Sequence, residues 1–173
     1  YPKALCRTCA STMGKITRHE SVIAAYPYLD AAKAALSHWK QSGATWVDTR
    51  FVVDATERVL PELRIFKFDL VVVVPPSPLR VFVRGFHPPD VWARHLAAVT
   101  QTRFVPRALW RLDLGQQRGA TRQDRLRDAP RFVMSPLALR QVRGQRVLLV
   151  DDVLTTGSTL RQAEAMLRVA AVD

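Results

Sequence analysis

Cysteine is nearly absent from this chain of 173 residues: only Cys6 and Cys9 occur. So low a count excludes the disulfide framework on which small secreted domains depend. Long apolar runs are missing too, and no stretch approaches the roughly 20 residues needed to cross a bilayer. No basic-then-apolar leader opens the chain, so a cytoplasmic protein without membrane insertion is expected. Internal repeats and low-complexity tracts are lacking. Histidine is sparse, and His38, His87 and His95 share no metal-ligand spacing. Lysine is scarce as well, with five residues against 21 arginines.

What is present is basic and well supplied with core material. Hydrophobic residues make up 48% of the chain, enough for one domain with a proper core and a small appendage. The net charge is +11, and its carriers are clustered: residues 103–146 hold eleven arginines against Asp113, Asp124 and Asp128. Arginine offers a planar fork suited to bidentate phosphate contact. Polyanions or a pyrophosphate-bearing ligand are therefore natural partners.

The most informative run is Val147-Leu148-Leu149-Val150-Asp151-Asp152-Val153-Leu154-Thr155-Thr156-Gly157-Ser158-Thr159-Leu160. Four consecutive apolar residues predict a strand buried on both faces. Two carboxylates follow, then a loop of hydroxyls with one glycine. Thr159 and Gln162 have the spacing of a capping box opening a helix. Backbone N–H groups at such a helix start suit a phosphate. The adjacent acids can accept hydrogen bonds from sugar hydroxyls or hold magnesium. Gly157 lets the backbone approach the phosphate closely.

Elsewhere, Ser21 to Tyr28 suggests a strand, Asp30 to Gln41 a helix and Trp46 to Leu63 a second helix, bent or ended by Pro61. Leu70 to Val74 is a second buried strand, stopped by Pro75-Pro76-Ser77-Pro78. Pro89 to Val99 reads as a helix and Phe104 to Trp110 as a strand, while Gly115 to Arg131 reads as a mobile loop, partly helical near its end. A strand is expected to begin at Val169 to Val172. Apolar strands separated by helices imply a parallel α/β sheet, whose ligands gather at the strands' carboxyl ends. Pro75–Ser77 and Asp151–Thr159 are thus expected to meet in one crevice.

The run at 147–160 resembles the phosphoribosyl-pyrophosphate signature of type I phosphoribosyltransferases. That resemblance implies that Asp151 and Asp152 bind the ribose hydroxyls. It also implies that Thr155, Thr156, Gly157, Ser158 and Thr159 wrap the 5′-phosphate, with Mg2+ accompanying phosphoribosyl pyrophosphate. Val74-Pro75-Pro76, Arg80 and Arg84-Gly85-Phe86 further resemble the ComF-type proteins linked to bacterial competence. His87-Pro88 stands where that branch has Asn-Gln, and the prolines at 88 and 89 suggest a stiff loop. Gln117, Arg125 and Phe132 loosely match its loop segment, with Asp128 in place of asparagine, and Lys40 also fits. By resemblance, Pro75, Pro76 and Ser77 face the pyrophosphate, and Arg80 and Arg84 neutralise it.

ComF-type proteins open on a zinc ribbon of two Cys-x-x-Cys pairs. Cys6 and Cys9 supply one pair, half a Zn2+ site, with His19 a conceivable third ligand. The implied fold is α/β, a type I phosphoribosyltransferase-like parallel sheet flanked by helices. Residues 1–20 would form a partial zinc-ribbon-like segment and residues 21–173 the main domain, which we expect to be truncated at its C-terminus.

Two functions compete. One is a module that binds phosphoribosyl pyrophosphate or a related sugar phosphate and acts in DNA uptake. It would contact single-stranded DNA through Arg118, Arg122 and Arg125, with a competence helicase as partner. Trp92, Trp110 and Phe104 are the available stacking rings, of which Trp92, on an apolar stripe, is expected in the core. The other is an active Mg2+-dependent transferase that moves ribose 5-phosphate to a nitrogen acceptor. A ligand-gated regulator is a third reading.

Overall fold

A computed structural model describes residues 17–19, 21–42, 46–77, 82, 85–112 and 131–170. The segments carrying Cys6, Cys9, Arg80, Arg84, Arg118, Arg122 and Arg125 lie outside the described residues. So do residues 171–173 and residues 115–130 of the 115–131 segment expected as a loop, whose last residue, Arg131, instead opens a strand.

The centre is a parallel sheet built from the most apolar tetrapeptides of the chain. β3 (Leu70–Val73) is flanked by β4 (Arg103–Phe104) and β7 (Val147–Val150). Val71 and Val72 are wholly buried, as two-faced burial of a central strand requires. Leu70 pairs with Val147 and Val73 with Val150, so both strands end level. Just ahead of that pairing, the Asp69 carboxylate accepts from Arg146 Nε (3.0 Å), Nη2 (2.7 Å) and backbone N–H (2.9 Å). This fork pins the start of β3 against the start of β7 and fixes their register.

Helices cover both faces. On one lie α2 (Trp46–Leu63) and α3 (Pro88–Thr100), packed on Val71, Val73 and Val150. On the other lie α4 (Pro136–Val142) and α5 (Ser158–Val169), packed on Leu70, Val72 and Val74. α1 (Asp30–Ser42) joins the first side through Leu36 and Trp39, which pack on Val52. A hairpin of β1 (Thr17–His19) and β2 (Val22–Ala24) follows the same side. Just past β2, the Tyr26 hydroxyl donates to Asp54 of α2, and Arg58 Nε donates to the same carboxylate at 2.8 Å. The Arg58 guanidinium also lies 4.6 Å from the Tyr26 ring centroid.

Several local expectations are corrected. The segment 104–110 is not one strand. Pro106 has no N–H to donate, and Arg107 adopts a left-handed φ of 53°, so the chain turns there. β4 ends at Phe104, and β5 (Leu109–Leu112) begins a separate antiparallel ribbon with β6 (Arg131–Met134). Pro88 and Pro89 do not stiffen a loop; they form the first turn of α3, where a missing N–H costs nothing. Thr159 and Gln162 do not make a capping box, because α5 starts one residue before Thr159 with Gly157 as its N-cap and no side-chain cap. Val169 ends that helix rather than beginning a strand.

Candidate functional site

Because β3 and β7 end in register, the segments that follow them leave the sheet side by side. Val74 N–H donates to Val150 O at 2.9 Å, the last rung before the chains diverge. Beyond it, Val74, Pro75, Pro76 and Ser77 face Asp151, Asp152, Val153, Thr155 and Thr159 across a cavity of about 300 Å³. The crevice expected from the strand ends is therefore formed. Thr156, Gly157 and Ser158 lie on the far arm of the loop, outside that lining. There Thr156 Oγ1 accepts from Ser158 N–H at 3.4 Å, a long contact.

The acid pair is held differently at its two members. Asp151 Oδ1 accepts the Asp152 backbone N–H at 2.8 Å, which turns its carboxylate along the loop. Burial, and next the neighbouring Asp152 charge, push the Asp151 carboxyl up to about 6, against the pull of His87 and Lys40. Asp152 Oδ2 meets Lys40 Nζ at 2.7 Å, both side chains being 21% exposed. Lys40 reaches this point from the last turn of α1, which Trp39 anchors against Phe51 and Phe86. The amphipathic pattern of α1 therefore positions the lysine, with the buried Trp39 immediately before it.

Gly157 has a φ of 72°, in the left-handed region where a side chain is strained. A Cβ there would lie 2.9 Å from Arg161 Nη1, so Arg161 reaches back from the first turn of α5 across the loop. The glycine is thus favoured by backbone shape, while the guanidinium, the tip of a flexible side chain, could move aside.

Three contributors escaped the sequence reading. Arg111 on β5 lines the cavity, although nothing in a single strand shows which side chains turn towards a distant loop. His87, the N-cap residue of α3, lines it too, and its Nδ1 lies 3.2 Å from Asp90 Oδ1. Arg161 was legible in principle, standing four residues after the loop glycine and hence one helical turn above it.

Adjacent carboxylates suit magnesium, which takes one or two such ligands and completes its shell with water and phosphate oxygens. Among the described residues no group of three or more His, Cys, Asp or Glu side chains converges. The protein's own share would therefore be Asp151 and Asp152, with a phosphate ligand supplying further oxygens. Those residues fit the ion.

A second, apolar cavity of about 650 Å³ runs along β7, walled by Trp39, Val52, Leu148, Val150 and Leu160 among others. It shares Tyr28, Asp151, Asp152 and Val153 with the first. Of the three rings, Trp92 packs against the core, as its apolar stripe implied, and donates Nε1–H to Thr56 at 3.1 Å. Phe104 is half-buried beneath Arg94, whose guanidinium is 4.9 Å from its centroid. Trp110 alone of the three is exposed, at 49%. No helix among the described residues is long and apolar enough to cross a membrane.

Residues 94–171, which hold the acid pair, the loop and α5, match the phosphoribosyl transferase domain family. The chain is also similar to Competence protein F of Haemophilus influenzae, with 25% identity over 150 residues. That match covers 84% of this chain and 66% of the relative's own length.

Proposed function

We propose that this chain, ComF-type by its resemblance and similar to the phosphoribosyl transferase domain family over residues 94–171, binds phosphoribosyl pyrophosphate with magnesium. The carrying observation is the cavity where both strand ends meet, with two carboxylates on one wall and Pro75–Ser77 on the other. The ribose hydroxyls would donate to Asp151 and Asp152. The 5′-phosphate would sit at the start of α5, where backbone N–H groups and the helix dipole favour an anion. Arg161 leans over that loop and supports the same placement. The pyrophosphate would lie towards Pro75–Ser77, within reach of Arg111, and Arg80 and Arg84 would add charge.

Magnesium bound with the ligand would neutralise pyrophosphate oxygens. Lys40 would then exchange its ion pair with Asp152 for contact with the ligand. A protein with these properties, similar to a competence protein, would serve DNA uptake, with its arginine-rich middle contacting single-stranded DNA and a competence helicase as partner. The half-site Cys6 and Cys9 would complete a Zn2+ knuckle only with further ligands.

Transfer to an acceptor is the second reading, favoured by the wall that the two cavities share. An apolar nitrogen base in the larger cavity would approach the ribose carbon from there. The C–N bond would form as the C–O bond to pyrophosphate breaks, pyrophosphate leaving with the electron pair and the nitrogen losing its proton to water.

Calorimetric titration of magnesium phosphoribosyl pyrophosphate tests the binding reading. The Asp151→Asn, Asp152→Asn double variant is expected to lose about a hundredfold or more in affinity, since two charge-assisted contacts disappear. Equal affinity in both proteins would overturn it. Release of pyrophosphate with a panel of bases would add the transferase activity.

A further inference from the structure

β5 presents two different chemistries on its two faces. Leu109 is 2% exposed and Arg111 faces the sugar-phosphate cavity, whereas Trp110 between them points outward, 49% exposed. Across the ribbon Trp110 stands opposite Val133, itself 39% exposed, and Leu112 continues the same outer face. The opposite face of the ribbon is spent on the core through Leu109 and Phe132. Trp110, Val133 and Leu112 together make an exposed apolar strip on which a flat ring can stack.

The charge around it selects the partner. Arg107, in the turn that leads into β5, places its guanidinium 6.0 Å from the Trp110 centroid. The segments 103–112 and 131–146 hold seven arginines and no aspartate or glutamate, although Arg111 turns to the cavity and Arg146 is paired with Asp69. A protein surface seeking a neutral apolar patch would have no use for that excess, whereas a polyanion would. An exposed ring beside basic groups stacks on bases that are themselves unstacked, which a duplex does not offer.

We infer that the outer face of the β5–β6 ribbon, centred on Trp110 and Arg107, is the surface on which single-stranded DNA stacks. The inference rests on the DNA-contact reading above and gives it a location. It also puts the DNA on one side of β5 and the sugar phosphate on the other, so that both can be bound together.

Fluorescence anisotropy with a labelled oligothymidylate tests it. Trp110→Ala is expected to weaken binding about tenfold, the usual consequence of losing one stacked base, and Trp110→Phe to retain most of it. Arg107→Ala should weaken binding less and flatten its salt dependence. A duplex of equal length should bind more weakly, with no response to Trp110→Ala. Wild-type affinity in Trp110→Ala would overturn the location while leaving the DNA reading intact. No oligonucleotide binding by the wild type would overturn both. Unchanged DNA affinity in Trp110→Ala, with a shift from dimer to monomer in sedimentation, would assign the face to a second copy of the chain and also overturn the inference. Magnesium phosphoribosyl pyrophosphate titrated into Trp110→Ala should bind as to wild type, which certifies that the variant is folded.

Discussion

Asp151 sits where its charge is unwelcome, and this is the cost of presenting two anions at one strand end. Its carboxyl titrates near 6 rather than at the ordinary 3.8, first because it is buried and second because Asp152 adjoins it. A carboxyl with a raised folded-state value stabilises the fold below about 3.8, and that contribution is lost as pH rises through about 6. At 1.36 kcal/mol per pH unit, the ionised group costs the fold about 3 kcal/mol near neutrality. Asp151→Asn is therefore expected to raise the melting temperature by about 5 to 10 °C near pH 7, with the gain vanishing near pH 4. A thermal melt across that range checks it. No stabilisation at neutral pH would show that Asp151 is not strained by its surroundings. The same carboxyl was singled out in the sequence by its place after four apolar residues. Its partner Lys40 was legible only through family resemblance, because 112 residues separate the ion pair.

Elements were readable where one strong local signal governed them. β3 and β7 are uninterrupted apolar tetrapeptides, and α1, α2 and α3 repeat their apolar residues at helical spacing. β6 and α4 were missed because each is short and draws its stability from partners distant in sequence. β6 pairs with β5 across an intervening segment, and α4 buries only Ala138 and Val142. A signal was nonetheless present in Ser135-Pro136. Ser135 Oγ accepts the Ala138 N–H at 3.1 Å, and Pro136 occupies the first helical turn. Ser135→Ala should cost about 1 kcal/mol and lower the melting temperature by about 2 to 4 °C. An unchanged melt would mean that packing on β6 and β7 holds α4 without its cap. At α5 the signal misled: hydroxyls at 155, 156, 158 and 159 all look like caps, yet the positive φ of Gly157 decides the start.

At the scale of the whole molecule, the level ending of β3 and β7 organises everything else. The Asp69–Arg146 fork sets it, and the guanidinium holds the Asp69 carboxyl at about 2. From that edge open a small polar cavity for a charged ligand and a larger apolar one along β7, which has no strand partner on its second side among the described residues. The sequence pointed to the first cavity because it lies where two recognisable strands end. The second depends on how α1, α2 and β2 pack beside β7, which no local pattern encodes.

A crystal structure with magnesium and phosphoribosyl pyrophosphate bound tests the central claim most directly. The expected result places the ribose hydroxyls on Asp151 and Asp152 and the 5′-phosphate on the N–H groups that open α5. Ligand density in the apolar cavity, or Asp152 still closed on Lys40 with no sugar beside the acid pair, would contradict the account.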